Sequence, residues 1–219
     1  MCPASMSADE VAMRVRVAHW ERVYAERDPT EVSWYQADPA LSLTLIQSTG
    51  IGHHDSIIDV GGGASLLVDR LLDLGFTRVT ILDIAETALC RAKERLGPRA
   101  TRVTWVAGDV TATPWPAGAF ELWHDRAVFH FLTEAEDRRK YREHVTRALA
   151  PSGHLIIATF ALDGPPCCSG LPIMRYNAAI LQQELGSEFT LVETRQETHR
   201  TPAGAQQHFV YGRFKKISR

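Results

Sequence analysis

The sequence predicts an α/β fold built on a doubly wound, mainly parallel sheet. Three observations predict it. Residues 56–83 read as strand, glycine turn, helix and strand: Ile57-Ile58-Asp59-Val60, then Gly61-Gly62-Gly63, a helical stretch from Ala64 to Leu74, and Val79-Thr80-Ile81-Leu82-Asp83. Further strand-length apolar runs alternate with helical stretches downstream, as βαβ units require. The first three strands also end at or beside an acid, namely Asp59, Asp83 and Asp109.

Ile57, Ile58 and Val60 suit a strand buried on both faces, because a parallel sheet is covered on either side. Gly61 and Gly63 let the backbone turn sharply and approach a ligand, since no Cβ intervenes. Gly75 follows the helical stretch where a C-terminal cap belongs. Asp83, at the tip of the second strand and 20 residues beyond Gly63, is placed to accept hydrogen bonds from ribose hydroxyls. The unit therefore reads as nucleoside-binding. Counting from Gly61, Leu66 stands where the dinucleotide fingerprint needs a third small residue, which argues against NAD or FAD.

The remaining elements follow in order. Residues 7–27 form a predicted helix, with Ser7 and Glu10 spaced as a capping box and Asp28-Pro29 as its stop. Trp34-Tyr35-Gln36 falls in a loop before a second helix, Pro39 to Ser48. Trp20, Tyr24, Trp34 and Tyr35 suit either packing against the domain or a lid over a site. Glu86 to Leu96 is a helix ended by Gly97-Pro98, and Cys90 within it reads as a small buried filler. Val103 to Ala107 is the third strand. Phe120 to Trp123 is the fourth, lying beside the first across the reversal of strand order, so that His124-Asp125-Arg126 follow it at the cleft. A charged helix reaches Leu149, and His154 to Phe160 is the fifth strand. After a loop holding Cys167-Cys168 come a helix from Tyr176 to Leu185 and two strands, Phe189 to Thr198 and Gln207 to Phe214.

Composition narrows the function classes. The chain has 219 residues, enough for one domain with a sizeable core. A formal net charge of −2 provides no global basic field and argues against a nucleic-acid partner. No run approaches a membrane span, and Met1 to Met6 lacks the basic and apolar segments of a signal peptide. Four cysteines make no disulfide framework, so a cytoplasmic setting is expected. No Cys-x-x-Cys or Cys/His cluster points to a bound metal. Nothing in the sequence bears on oligomeric state.

The segment Asp59-Val60-Gly61-Gly62-Gly63-Ala64-Ser65 resembles motif I of class I S-adenosylmethionine (SAM) methyltransferases. "LAPSGHLIIATF", residues 149–160, is similar to a later signature of the same family. The resemblance spans about residues 50–215. It implies a Rossmann-like seven-stranded sheet of order 3-2-1-4-5-7-6 with the last strand antiparallel. Residues 1–50 would form an N-terminal helical lid and residues 51–219 the SAM-binding domain. It also implies that Asp59, Gly61, Gly63, Asp83, Ile84, Asp109 and Val110 hold SAM, with Asp109 at the adenine amino group and Trp20 and Tyr24 covering the cofactor. The more limited likeness of "HWERVYAERDPTEVSWYQ" is to the branch of the family that includes protein-lysine methyltransferases.

Within that frame His124, Asp125 and Arg126 are the catalytic candidates: His124 or Asp125 to take a proton from the nucleophile, Arg126 to fix an anionic part of the substrate. The alternative is a structural Asp125–Arg126 ion pair and packed histidines. Trp34, Tyr35, His130, Cys168, Arg175 and Tyr176 are candidates for the substrate pocket. The implied activity is methyl transfer by in-line displacement to N, O or S of a small-molecule or protein acceptor. A thiol or metalloid acceptor handled by the Cys167-Cys168 loop, and a non-catalytic SAM-binding protein, are the alternatives.

Overall fold

A computed structural model describes residues 8–218. The expected capping residue Ser7 lies outside the described residues. Helix α1 spans Ala8–Glu26 and α2 spans Ala40–Ser48. The sheet strands are β1 (Ser56–Val60), β2 (Arg78–Asp83), β3 (Val103–Ala107), β4 (Phe120–Arg126) and β5 (Leu149–Phe160), followed by β8 (Phe189–Arg200) and β9 (Gln206–Lys216). Between β5 and β8, Cys167–Cys168 (β6) and Leu171–Pro172 (β7) form a separate two-residue ribbon. The order is β3-β2-β1-β4-β5-β9-β8, with β1 to β5 mutually parallel and β9 antiparallel to both neighbours. It departs from the expected numbering because the ribbon takes two places in chain order.

Helices α3 (Leu67–Asp73), α4 (Glu86–Leu96), α5 (Ala135–Ala148) and α6 (Ala178–Leu185) complete the layers. One sheet face packs Ile57, Ile81, Leu122 and Ile156 against Leu45, Ile46, Leu67, Leu71 and Leu89 from α2, α3 and α4. The other packs Ile58, Trp123 and Ile157 against Tyr141, Val145, Leu181 and Leu185 from α5 and α6. Every residue of β1 is buried, which is why it carries no polar alternation.

Several boundaries differ from expectation, each for a local reason. Helix α3 starts at Leu67, not Ala64, because residues 64–66 still belong to the turn, with Ser65 N–H donating to Gly62 O. Its end is a Schellman motif: Gly75 N–H donates to Leu72 O, Phe76 N–H to Leu71 O, and Gly75 has φ +88°. Cys90 is exposed, not a core filler. Strand β5 begins at Leu149, not His154, so Ala150 to Gly153, expected to end the preceding helix, lie within the strand. On α1, Val11 and Val15 are exposed, and the face turned inward carries Trp20, Val23 and Tyr24. Strand β4 runs to Arg126, so His124-Asp125-Arg126 are strand residues and not the loop after it.

Candidate active site

The strand ends, the glycine turn and α1 enclose a cleft of about 790 Å³ including its open mouth. Val60, Gly61, Leu82, Asp83, Ile84, Gly108, Asp109 and Val110 form the floor; Arg16, Trp20, Tyr24 and Trp34 form the roof. Arg126, Ala127, Val128, Phe131, Leu132 and Cys168 close the far end. A second cavity on the other side of Gly61 and Trp34 is lined by Tyr35, Gln36, Ser42, Asp59, Gly62, Ser65 and His124. The expected cofactor residues other than Gly63 thus line these two spaces. Gly63 sits just behind, where a Cβ would collide with the Asp83 carboxylate and with Ala88. A Cβ on Gly61, which has φ +67°, would collide with Val128. These glycines are required by packing at the turn itself.

The two acids of the cleft, Asp83 and Asp109, sit in opposite electrostatic settings. Asp83 accepts from the Ala85 N–H at 2.9 Å. Burial pushes its pKa up to about 7 against that bond, with Asp59 and Glu21 adding repulsion. For Asp109, burial alone would raise the pKa, but Thr111 and the Arg16 guanidinium outweigh it and hold the carboxyl below its usual range. Asp109 Oδ1 takes the Thr111 N–H at 2.8 Å and its hydroxyl at 2.7 Å. Oδ2 takes Arg16 Nε at 3.0 Å and Nη2 at 2.8 Å, while Arg16 Nη1 reaches Asp137 at 3.1 Å.

Glu21, one turn along α1 from Arg16, accepts from the backbone N–H groups of Glu86 and Thr87 at 2.6 and 3.2 Å. It caps the start of α4, where helix N–H groups lack internal partners. Trp20, Trp34 and Phe131 meet edge to face, with Trp20 centroids 5.6 and 5.0 Å from the other two. Tyr24 packs beside them over Ala64, Ala85 and Ala88. Burial, then Asp83, pushes the Tyr24 hydroxyl well above its ordinary pKa. Arg16, Trp20 and Tyr24 share one helix face at i, i+4, i+8, a spacing that could have marked Arg16 in the sequence.

The three catalytic candidates do not act as one group, because alternation along β4 separates them. Asp125 is fully buried beneath α5 and lines neither cavity. It accepts from Val128 N–H at 3.0 Å, Phe129 N–H at 3.3 Å and the Tyr141 hydroxyl at 2.8 Å. The Tyr141 oxygen in turn accepts from Trp123 Nε1. Burial pushes the Asp125 pKa up to about 6 despite these donors. His124 has both ring nitrogens bonded, to Asp59 and Ser42, and is 2% exposed, so neither nitrogen is free to take a proton from a substrate. Arg126 does line the cleft, but its ion partner is Glu197 at 3.5 Å, not Asp125. Its other bonds go to the Tyr211 hydroxyl and the Trp34 carbonyl.

The substrate candidates divide as well. Trp34 and Cys168 line the main cleft and Tyr35 the second cavity. His130, Arg175 and Tyr176 line neither. His130 is sealed between Phe131 and Phe160, where burial, then Arg126, pushes its pKa down to about 3. Tyr176 packs on Phe129 in the core, and Arg175 donates to Gly164 O. Ribbon alternation leaves Cys167 exposed and Cys168 buried, so the two thiols face different surroundings. Burial pushes the Cys168 thiol up to about 11. Ser42 and Glu197 gave no sequence signal, since both reach the site through long-range pairing. Among the described residues no group of three His, Cys, Asp or Glu side chains is placed to hold a metal ion, and no helix is long and apolar enough to cross a membrane.

Residues 57–153 match the family model described as a methyltransferase domain. The eEF1A lysine and N-terminal methyltransferase of Danio rerio is 27% identical over 148 residues, 66% of this chain and 21% of that protein. The chain thus spans about one fifth of the length of the first curated relatives it matches. The 2-heptyl-1-hydroxyquinolin-4(1H)-one methyltransferase of Mycobacteroides abscessus is 30% identical over 149 residues, covering 64% of this chain and 63% of that one. Among solved structures, the Burkholderia thailandensis 1,6-didemethyltoxoflavin-N1-methyltransferase, with its substrate and S-adenosylhomocysteine bound, superposes with a TM-score of 0.69 at 20% identity, over 100% of this chain and 93% of that one.

Proposed function

We propose that this chain, which carries a class I SAM-dependent methyltransferase domain, methylates a small, largely apolar acceptor whose nucleophilic atom is already unprotonated near neutral pH. The observation that carries the methyltransferase reading is the pairing of Asp83 and Asp109 across one cleft beneath the glycine turn. The residues fit the cofactor. The turn borders both cavities through Gly61 and Gly62, and Asp59 Oδ2 is a buried acceptor without a partner among the described residues. In this reading Asp83 receives the ribose hydroxyls and Asp109 the adenine amino group. Gly61, Ile84 and Val110 line the nucleoside, Asp59 faces the amino-acid end, and residues 1–50 serve as the lid over the domain of residues 51–219. When bound, SAM supplies a methyl group on a sulfonium, a leaving group that needs no proton.

The chain's own contribution is alignment and the exclusion of water, which supplies about 7–11 kcal/mol in favourable cases. Trp20, Trp34, Phe131 and Leu132 provide apolar walls for it. None of the ionisable groups at the acceptor end is a good base. Cys168 stays a thiol, Arg126 is tied to Glu197, and Asp125 faces away. An alkylammonium acceptor would find nothing there to remove its proton, whereas an acidic hydroxyl, a thiolate or a heteroaromatic nitrogen needs no such help. The named substrates of the Mycobacteroides and Burkholderia relatives are compatible with that description. A protein amine is the second reading, favoured by the eEF1A methyltransferase similarity.

Incubating the protein with methyl-labelled SAM and separated small-molecule and protein fractions of a lysate distinguishes them. Label in the small-molecule fraction is expected. Label confined to protein would favour the second reading, and SAM binding without transfer to any fraction would make this a non-catalytic binding protein. Retained transfer in Cys168→Ser would remove the thiol or metalloid alternative.

A further inference from the structure

Beneath the glycine turn three buried polar side chains form a line. Asp59 of β1 and His124 of β4 are register partners in the parallel sheet. His124 Nδ1 lies 2.7 Å from Asp59 Oδ1, and its Nε2 lies 2.9 Å from Ser42 Oγ of α2. None of the three is more than 2% exposed. A carboxylate only accepts, so Nδ1 carries a proton and donates to Asp59, while Nε2 and the Ser42 hydroxyl share the second bond.

The other oxygen, Asp59 Oδ2, is buried and has no partner among the described residues. It lies directly under Gly62, where a Cβ would come within 2.5 Å of it. Asp59 also contributes to the wall of the second cavity, together with Gly61, Gly62 and Ser65. That cavity borders the nucleoside cleft: Tyr24, Trp34, Val60, Gly61 and Arg126 line both. A buried carboxylate with one oxygen unmatched is unfavourable, and a cationic donor relieves it.

We propose that His124 and Ser42 are positioning residues: they fix the Asp59 carboxylate so that Oδ2 accepts, directly or through one water, from a primary ammonium group. That ammonium is the one on the amino-acid end of SAM, so the inference rests on the cofactor reading above. It changes the role of His124 from a proton acceptor for the substrate to an anchor for the cofactor's tail. Ser42 extends the anchor into α2, next to the Trp34 segment of the roof.

Calorimetric titration with two ligands tests it. S-adenosylhomocysteine carries the ammonium; 5′-methylthioadenosine has the same nucleoside and lacks the amino-acid end. His124→Leu should weaken S-adenosylhomocysteine by about 10-fold or more, the usual consequence of losing a charge-assisted hydrogen bond. It should leave methylthioadenosine within about twofold, because the nucleoside contacts are untouched. His124→Asn, whose amide can donate where Nδ1 did, should recover most of the loss. Ser42→Ala should shift the same ligand in the same direction by a smaller factor, and reports on the line if His124→Leu does not fold. Equal weakening of both ligands, or of neither, in the folded variants would overturn the inference alone. A wild-type protein that binds neither ligand would overturn the cofactor reading and the inference with it.

Discussion

Among single residues, Asp83 makes the most specific commitment. Ribose hydroxyls donate to an ionised carboxylate, while burial has pushed this one up to about 7. In the proposed ribose-binding role, a proton must leave Asp83 below that pH before the ligand binds. S-adenosylhomocysteine affinity should therefore fall about tenfold per unit as pH drops below 7, and level off above about 8. Calorimetry in buffers of different ionisation heat should register a released proton. For the ligand-free protein the sign is opposite. A raised folded-state pKa gives stability that is fully present below the unfolded value and is lost as pH rises through 7. Asp125 is expected to behave differently from a catalytic acid. Tyr141→Phe removes one of its three donors and should cost about 1–3 kcal/mol, seen as a lower melting temperature with cofactor affinity unchanged. Asp59, Asp83 and Asp109 were legible in the sequence because each interrupts or follows an apolar strand at its tip. The separate roles of His124, Asp125 and Arg126 were not. Three ionisable residues in a row look like a loop cluster, and only the extended strand turns successive ones to opposite faces.

At the level of elements, α1 matters most. All four acceptor positions of the Asp109 carboxylate are engaged, two by Thr111 and two by Arg16. In the proposed cofactor reading an adenine amino group at Asp109 must displace one of these four bonds, and loss of an Arg16 bond would couple cofactor binding to the seating of α1. Arg16→Ala should loosen the helix. The Arg16 side chain is 29% exposed, so solvent screening reduces the effect to roughly 1–2 kcal/mol. Amide exchange across residues 16–26 should accelerate about 5- to 30-fold without global unfolding. No change in exchange would mean that Glu21 and the aromatic cluster hold α1 by themselves. The helix was readable as a helix, but its buried face was not. Val11 and Val15 point to solvent, while an arginine takes the inward position because its partner, Asp109, lies 93 residues away. The β6–β7 ribbon was also illegible, since two-residue strands carry no periodicity.

For the whole molecule, the parallel order was legible from the glycine turn and the sequence of apolar runs, because right-handed crossovers leave few arrangements. The terminal β8–β9 hairpin then inserts β9 beside β5 and leaves β8 at the edge. This order brings the tips of β1, β2, β3 and β4 together, so a single cleft collects residues spread from Arg16 to Cys168. Calorimetric titration of S-adenosylhomocysteine and NAD into the wild-type protein and Asp83→Asn tests that account most directly. S-adenosylhomocysteine should bind the wild type at one site and weaken about 10- to 100-fold in Asp83→Asn, with NAD failing to compete. Preferential binding of NAD, or unchanged S-adenosylhomocysteine affinity in Asp83→Asn, would contradict it.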